Sequence, residues 1–598
     1  MSAGAHLDDH RRELEFQLFA VLDATRLLAL PRFAEHNADT LRAALQAAET
    51  VAGDRFAPCH RELDEHEPIL DGSTVVLPEA AARGLRAFAE AGFVAATHDA
   101  DRGGMQLPLC VAMGCWGLFK AANIALEAYA TLSAGVADVI RAQGTAAQID
   151  RYLPPLLDGR WSGTMVLTEP QAGSSLGDLT SSATPRPDGR YALRGRKLFI
   201  TAGDHALSEN IVHLVLARID GAPPGVRGLS LFIVPKRRLR PDGSAGADND
   251  VALAGLIHKL GFRGTTSAML NFGERGDCIG ELLGREHEGL AAMFQMMNAA
   301  RIGVGLGSAM VALAGYRASL AYARERRQGR LGRDARQAPV AIVEHADVRR
   351  LLLTQKALAE GALALALHAA WLEDWSREAP DPMLRTRAAQ VLDLLTPVVK
   401  AWCSHHGTAA NDLAIQVLGG YGYTRDFPVE QHWRDNRLNA LHEGTNGIQA
   451  LDLLGRKLFA DDGIAYGWLA QEVNETVAAA GTELEAQART VAEAWDALGD
   501  TVRALRQLMD HDPRRTLALA WDFLQVFGHG VVGWLWLKQG LAAHRALEGL
   551  DGPAALPYHG KLAAMDHFLR TELQPVQSRH ALLRCTEASV LDAEPDWL

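Results

Sequence analysis

Residues 165–178 read MVLTEPQAGSSLGD. A strand runs into Thr168-Glu169-Pro170 and then into a loop of glycine and serine. Such a loop presents backbone N–H groups and hydroxyls, which suits a phosphate or a polar heteroaromatic ring. An ordinary strand-to-loop exit explains the same residues. The stretch marks where the texture of the chain changes. Upstream, from about 9 to 157, Ala, Leu, Arg and Glu predict helices, with breaks at Pro31, Pro58, Pro68, Gly103-Gly104 and Pro154-Pro155. From Trp161 to about Arg285, turn signals bound short apolar runs, and strands are predicted over 163–167, 191–193, 197–201, 211–217, 229–234 and 268–272. Their spacing, with no helices between, predicts an antiparallel barrel or sandwich and not a doubly wound sheet.

Helical patterning resumes at about Gly289. One long helix is expected over 343–375 and another over about 384–402, the second kinked by Pro397. Gly303, Gly305 and Gly307 imitate part of a dinucleotide fingerprint, but no strand precedes them, and they read as close helix packing. Beyond 460, Val491, Trp495, Leu498, Val502, Leu505 and Met509 recur at spacings of four and three, a buried helical stripe. Trp521, Trp534 and Trp536 mark a further apolar helix. The fold class is therefore α+β, mostly α: an N-terminal helical domain (1–160), a middle β domain (161–285), a helical bundle (286–460) and a C-terminal helical extension (461–598).

At 598 residues the chain is too long for one core. Its net charge of -12 opposes general binding to nucleic acid or anionic membranes. The six cysteines form no C-x-x-C pair, which points to a reducing compartment and away from a zinc site. The N-terminus has no apolar signal core, and stretches such as 361–372 and 531–537 are too short to span a bilayer. A cytoplasmic location is expected. Cys59, His60, Glu62, Glu65 and His66 match no ligand spacing and read as a solvated helix face.

Five further stretches carry candidate chemistry. In 195–203, GRKLFITAG, Phe199 and Thr201 share one side of a strand, an aromatic face beside a hydroxyl. In 296–303, MMNAARIG, Arg301 is flanked by small and apolar residues and needs an anionic partner, either Glu443 or a ligand. Residues 324–336 hold six arginines against Glu325 and Asp334, a solvated loop or an anion site. In 416–424, QVLGGYGYT, the glycine pair closes a helix or admits a ligand or second subunit. In 441–454, LHEGTNGIQALDLL, Glu443 precedes Gly444 and the plausible N-cap Thr445, with Ile448, Leu451 and Leu454 at helical spacing. The helix dipole alone would favour an acid there.

Taken in order, TEPQAGS, KLFIT, the arginine-bearing helix, ERRQGR, QVLGGYGYT and HEGTNGIQ resemble the signature set of the FAD-dependent acyl-CoA dehydrogenases. The resemblance covers about 50–460. Length and extension look most like the longer subgroup with methylthiopropionyl-CoA and bacterial fatty acyl-CoA dehydrogenases. It implies α,β-dehydrogenation of an acyl-CoA to a trans-2-enoyl-CoA, Glu443 being the base and the flavin N5 the hydride acceptor. Met165, Leu167, Thr168 and Ser174 would hold the flavin's pyrimidine edge, diphosphate or substrate. Phe199, Ile200 and Thr201 would lie against the ring. Arg326 and Gln328, with Gln416, Leu418, Gly419 and Gly420, would reach the FAD of a neighbouring subunit, so a homodimer or dimer of dimers is implied. Thr445, Asn446 and Gly447 would complete the flavin site. Ser174, Asn298, Arg301 and Gly444 would face substrate, and an electron-transferring flavoprotein would take the electrons. Ser175, Asn298, Ala300, Gly329 and Ala346 depart from the usual pattern. Ala300 leaves that helix without the glutamate that serves as base in some members. Two other readings are an acyl-CoA oxidase that uses oxygen and a nucleic-acid-binding relative, the latter opposed by the acidic region from 460 onward.

Overall fold

The strand Asn210–Ile219 explains the middle of the molecule. Its side chains alternate between two cores. Val212, Leu214 and Leu216 join Val136, Ile140, Leu153, Leu156 and Trp161 on the helical side. Val215, Ala217 and Ile219 join Val166, Leu193, Ile200, Phe232 and Leu270 on the other. Both faces are covered, so the strand reads as one continuous apolar run. This computed structural model describes residues 6–332, 336–585 and 589–597, and outside 294–297 and 577 their side chains.

The central sheet contains β1 (Trp161–Val166), β2 (Ser182–Pro185), β3 (Tyr191–Thr201), β4 (Asn210–Ile219), β5 (Leu229–Pro235), β6 (Val251–Leu256), β7 (Ser267–Phe272) and β8 (Ile279–Leu283). The order is β6-β7-β3-β8-β5-β4-β1, with β2 beside β3 and β4. Most neighbours are antiparallel, but β1 and β2 each run parallel to β4, so the expected antiparallel module is a mixed sheet. The cause is the long excursion between β1 and β4, which carries β2 and β3 and returns the chain in its original direction. The predicted strands at 191–193 and 197–201 are one strand. Gly195 does not break it; a Cβ there would meet Ser181 Oγ at 2.0 Å, so glycine permits a close crossing. The strands β2, β6 and β8 are too short or too weakly apolar for the sequence pattern to reveal.

The helices on either side are α1 (Leu109–Gln143), α2 (Gly289–Glu325), α3 (Ala346–Glu378), α4 (Pro382–Leu418), α5 (Val429–Leu438), α6 (Asn446–Asp452), α7 (Glu485–His511) and α8 (Ala520–Leu547). α1 and α2 are long and apolar enough to cross a membrane by length and composition, but both are mostly buried in the fold, as core helices are. α1 breaks its helical backbone at Asn123 (φ -167°, ψ 87°). Pro154 and Pro155 fall inside the last turn of their helix, Ala146–Leu157, which closes just beyond them where Asp158 N–H donates to Pro154 O at 3.1 Å. Pro397 likewise lies inside α4, which runs on to Leu418. Close packing at the glycines of α2 holds at two of three. A Cβ on Gly305 would fall 2.7 Å from Val399 of α4, and one on Gly307 3.0 Å from Ile124 of α1, whereas Gly303 has open space.

Glu62, Glu65 and His66 are exposed, as a solvated face requires, whereas Cys59 and His60 are buried, together with Asp64. Asp64 pairs with Arg434 at 2.6 Å, and His60 stacks on His432 with ring centroids 5.3 Å apart. In the extension, α7 buries Val491, Trp495, Leu498 and Leu505, and α8 buries Trp534 and Trp536. Their apolar core is continuous with that of the bundle. Lys561 fastens the join: its ammonium donates to Glu13 of the N-terminal helix Leu7–Glu15, to Glu360 of α3 at 2.8 Å and to Gln539 of α8 at 3.1 Å.

Candidate active site

Between α5 and α6 the chain makes a tight turn. Leu441 N–H donates to Leu438 O at 2.8 Å, and Asn446 N–H to Ala440 O at 3.2 Å. Inside it, Glu443 (φ 54°) and Gly444 (φ 84°) both adopt left-handed backbone. For glutamate that region is strained, and such strain persists only where the surroundings enforce it. Gln449 enforces it by donating to Glu443 O at 3.0 Å. A Cβ on Gly444 would meet the same amide nitrogen at 2.7 Å, so glycine is required. Thr445 caps α6 as expected, accepting from Ile448 N–H at 3.4 Å.

The half-buried Glu443 carboxyl titrates above its ordinary 4.5. Burial raises it, while the charges of Arg301 and Lys400 pull it back. Arg301 is buried on α2, and its partner is Asp452 at the end of α6, Nη1 to Oδ2 at 3.2 Å. The sequence offered Glu443 or a ligand as that partner. Asp452 was missed, though a lone acid in the run ALDLL was the available signal. Arg301 Nε is buried without a partner among the described residues. Lys400, also missed, is the lone cation in the apolar α4 stretch TPVVKAWC. It is fully buried and donates to Asn446 Oδ1 at 3.0 Å. Ser404 donates to the same oxygen at 3.0 Å, and Asn446 Nδ2 donates to Ala401 O at 3.3 Å. Burial brings Lys400 down to about 7, with Glu443 opposing the fall and Arg301 adding to it.

A second group sits on the sheet. Phe199 is 59% exposed at φ 58°, next to buried Ile200 and half-buried Thr201. β3 gains one residue against β7 between Lys197 and Ile200, and this bulge carries Phe199. Leu198 N–H donates to Thr168 O at 2.9 Å, which places the half-buried Leu167 and Thr168 alongside. The loop after Thr168 is pinned from beneath. Glu169 accepts from Thr180 N–H at 2.8 Å and Ser181 N–H at 3.1 Å. Lys197 donates to Glu169 Oε1, Leu167 O and Leu216 O, each at 2.9 Å. Burial works against the Glu169 carboxylate, but Lys197 and these donors outweigh it and hold it at about 2. Ser174 lies exposed on that loop, and Met165 is half-buried in β1.

The two groups meet through 262–267. Ser267 pairs with Thr201, and Phe262 packs its ring 6.2 Å from that of His442, the residue before Glu443. A third group lies apart. Arg326, Gln328, Leu418, Gly419 and Gly420 line a pocket of about 730 Å³ with Tyr322, His345 and Tyr421. Gln416 is exposed nearby on α4 but does not line it. Gly419 (φ 60°) closes α4, and the arginine loop is exposed over its described residues; Arg333 and Asp334 lie outside them. Asn298 lines a separate pocket of about 280 Å³ with Asp393, Arg456 and Lys457.

A flavin fits these residues. The exposed Phe199 ring offers a stacking face, and Thr201 and Thr168 on the adjoining backbone carry hydroxyls for a polar ring edge; Arg326, in its separate pocket, carries a cation that suits a diphosphate of a second copy. A helical domain, a mixed sheet and a helical bundle with Glu443 on a strained turn fit a flavin-dependent oxidoreductase. Four family models match consecutive stretches: acyl-CoA dehydrogenase N-terminal domain (38–160), middle domain (164–274) and C-terminal domain (287–458), then an acetyl-CoA dehydrogenase C-terminal-like domain (469–594). The chain is 36% identical to 3-methylmercaptopropionyl-CoA dehydrogenase of Ruegeria pomeroyi, over 97% of this chain and 98% of that protein. It is 34% identical to the broad-specificity linear acyl-CoA dehydrogenase FadE5 of Mycobacterium tuberculosis, over 99% of each. An acyl-CoA dehydrogenase from Bacillus anthracis solved with FAD shares the fold, with a TM-score of 0.74, 20% identity and coverage of 93% of this chain and 92% of that one. The chain belongs to the acyl-CoA dehydrogenase family, and it is an FAD-dependent oxidoreductase of fatty acid metabolism.

Proposed function

We propose that the protein dehydrogenates a linear or methylthio-substituted acyl-CoA between Cα and Cβ, with Glu443 as the base. The carrying observation is the Glu443 carboxyl on its strained turn, raised by burial and facing the charges of Arg301 and Lys400. A thioester α-hydrogen is weakly acidic, so its removal needs a positioned carboxylate of raised basicity. Glu443 Oε would take that proton, and Gln449, through Glu443 O, keeps the turn from relaxing. FAD supplies the two-electron acceptor when bound. Phe199, Thr201, Thr168, Leu167 and Met165 would hold its ring, Ser174 its loop side, and Thr445, Asn446 and Gly447 its far edge. Excluding water around Glu443 on substrate binding would raise its pKa further and improve it as a base.

The pocket at Arg326, Gln328 and Gly419-Gly420 supports a dimer in which it serves the cofactor of a second copy. Electrons would pass to an electron-transferring flavoprotein. The buried thiols of Cys59, Cys110, Cys115, Cys278 and Cys403 suit a reducing compartment, the cytoplasm. The names of the two relatives above support the choice of chain. The test is anaerobic mixing of the FAD-loaded protein with acyl-CoAs from short to long, methylthio-substituted chains included. Bleaching of the flavin by at least one is the expected result; no bleaching by any would defeat the proposal.

A further inference from the structure

We propose that Lys400 is a positioning residue for the reaction, a buried ammonium that acts on Glu443 through Asn446 and through its charge. The inference rests on Glu443 being the base. Lys400 is fully buried in α4, yet among the described residues no carboxylate lies within ion-pair distance of its Nζ. A buried cation without a contact anion is costly, and an apolar side chain of its size would cost less. Its hydrogen bond goes to Asn446, the first residue of α6, three residues after Glu443.

That bond is not needed to satisfy Asn446. The same Oδ1 already accepts from Ser404 at 3.0 Å, and the amide of Asn446 is anchored on Ala401 O. What Lys400 alone contributes there is positive charge beside the turn that carries the carboxylate. The neighbouring groups leave it that role. Arg301, from α2, shares its charge with Asp452 of α6. His442, from the turn itself, is pushed down to about 3 by burial and by the charges of Lys400 and Lys120, so it is neutral at physiological pH. Lys120, from α1, is paired with Glu127. The positive field on Glu443 comes first from Arg301 and then from Lys400, and of the two only Lys400 is not shared with a contact carboxylate. It opposes burial and keeps the base ionised before substrate arrives. The two charges also act on one another, since Glu443 supports the protonated lysine.

The test compares FAD-loaded wild type with Lys400→Met, Lys400→Gln and Lys400→Arg, using the acyl-CoA that bleaches wild type best. The readouts are FAD content, thermal stability, and the pH profiles of kcat/KM and KM. Lys400→Gln keeps a donor toward Asn446 and loses only the charge, so it reads the proposal even if Lys400→Met fails to fold. With the cation gone, the Glu443 pKa rises. The acid limb of kcat/KM should then move up by roughly half a pH unit or more in the Gln variant, a loss of about threefold at pH values below the limb. FAD content should hold, the Met variant should be no less heat-stable than wild type, and Arg should restore the wild-type limb. A Gln variant with an unmoved acid limb overturns the proposal. Failure of wild type to bleach with any acyl-CoA would instead sink the function on which it rests.

Discussion

Arg301 and Asp452 form a buried ion pair, Nη1 to Oδ2 at 3.2 Å, that binds α2 to the far end of the helix beginning beside Glu443. The guanidinium thus acts on Glu443 as a nearby charge already partly neutralised. Asp452→Asn should leave Arg301 uncompensated and remove one negative charge from the neighbourhood. Both changes favour the ionised carboxylate, so the acid limb of kcat/KM should move to lower pH by roughly half a unit to one unit, with a weaker base and a lower plateau. A pH-rate profile checks this; an upward shift would contradict it.

Lys561 is expected to matter for stability. Glu360 is buried, yet Lys356 and Lys561 outweigh the burial and hold its carboxyl well below its ordinary 4.5. A carboxyl so depressed contributes stability above 4.5 and loses it as pH falls further below that value. Lys561→Met strands part of this buried charge and should cost about 3–5 kcal/mol near pH 7. The deficit should shrink as pH falls below 4.5, and thermal unfolding at pH 7 and pH 4 would show it.

Lys197→Met should loosen the loop after Thr168. Glu169 would lose its counter-charge while remaining buried, at a cost of about 3–5 kcal/mol. FAD retention on gel filtration should fall together with heat stability. Glu169→Gln, which keeps a hydrogen-bonding side chain, should do less damage.

Phe199→Ala with Thr201→Ala removes a stacking face and a hydroxyl. The pair is worth about 1–3 kcal/mol of cofactor binding, or roughly fivefold to 150-fold in Kd. Flavin fluorescence titration of the apoprotein measures it. Wild-type affinity in the double variant would remove these residues from the cofactor site.

Local signals were legible in the sequence, and long-range ones were not. The turn at Glu443 and its cap at Thr445 follow from residues adjacent in the chain. So do the buried stripe of α7 and the Gly419 terminus of α4. The parallel pairing of β1 with β4 does not, because it depends on how the chain between them is routed. Pro154 and Pro155 argue locally for a break and Pro397 for a kink, but the first helix runs on to Leu157 and α4 to Leu418. Phe199 and Thr201 read as sharing one side of a regular strand, but the register with β7 puts a bulge at Phe199 that interrupts the alternation and exposes the ring. Asp452 and Lys400 escaped because each is a single charge in an apolar helix, and its meaning depends on what the fold brings opposite.

The central claim is that Glu443 takes the proton. Its most direct test is anaerobic stopped-flow reduction of FAD-loaded wild type and Glu443→Gln by the same saturating acyl-CoA. The amide keeps size and shape but cannot accept the proton, so flavin bleaching should slow by about 10²–10⁴-fold or more with FAD still bound. Bleaching within a few fold of wild type in the Gln variant would contradict the account.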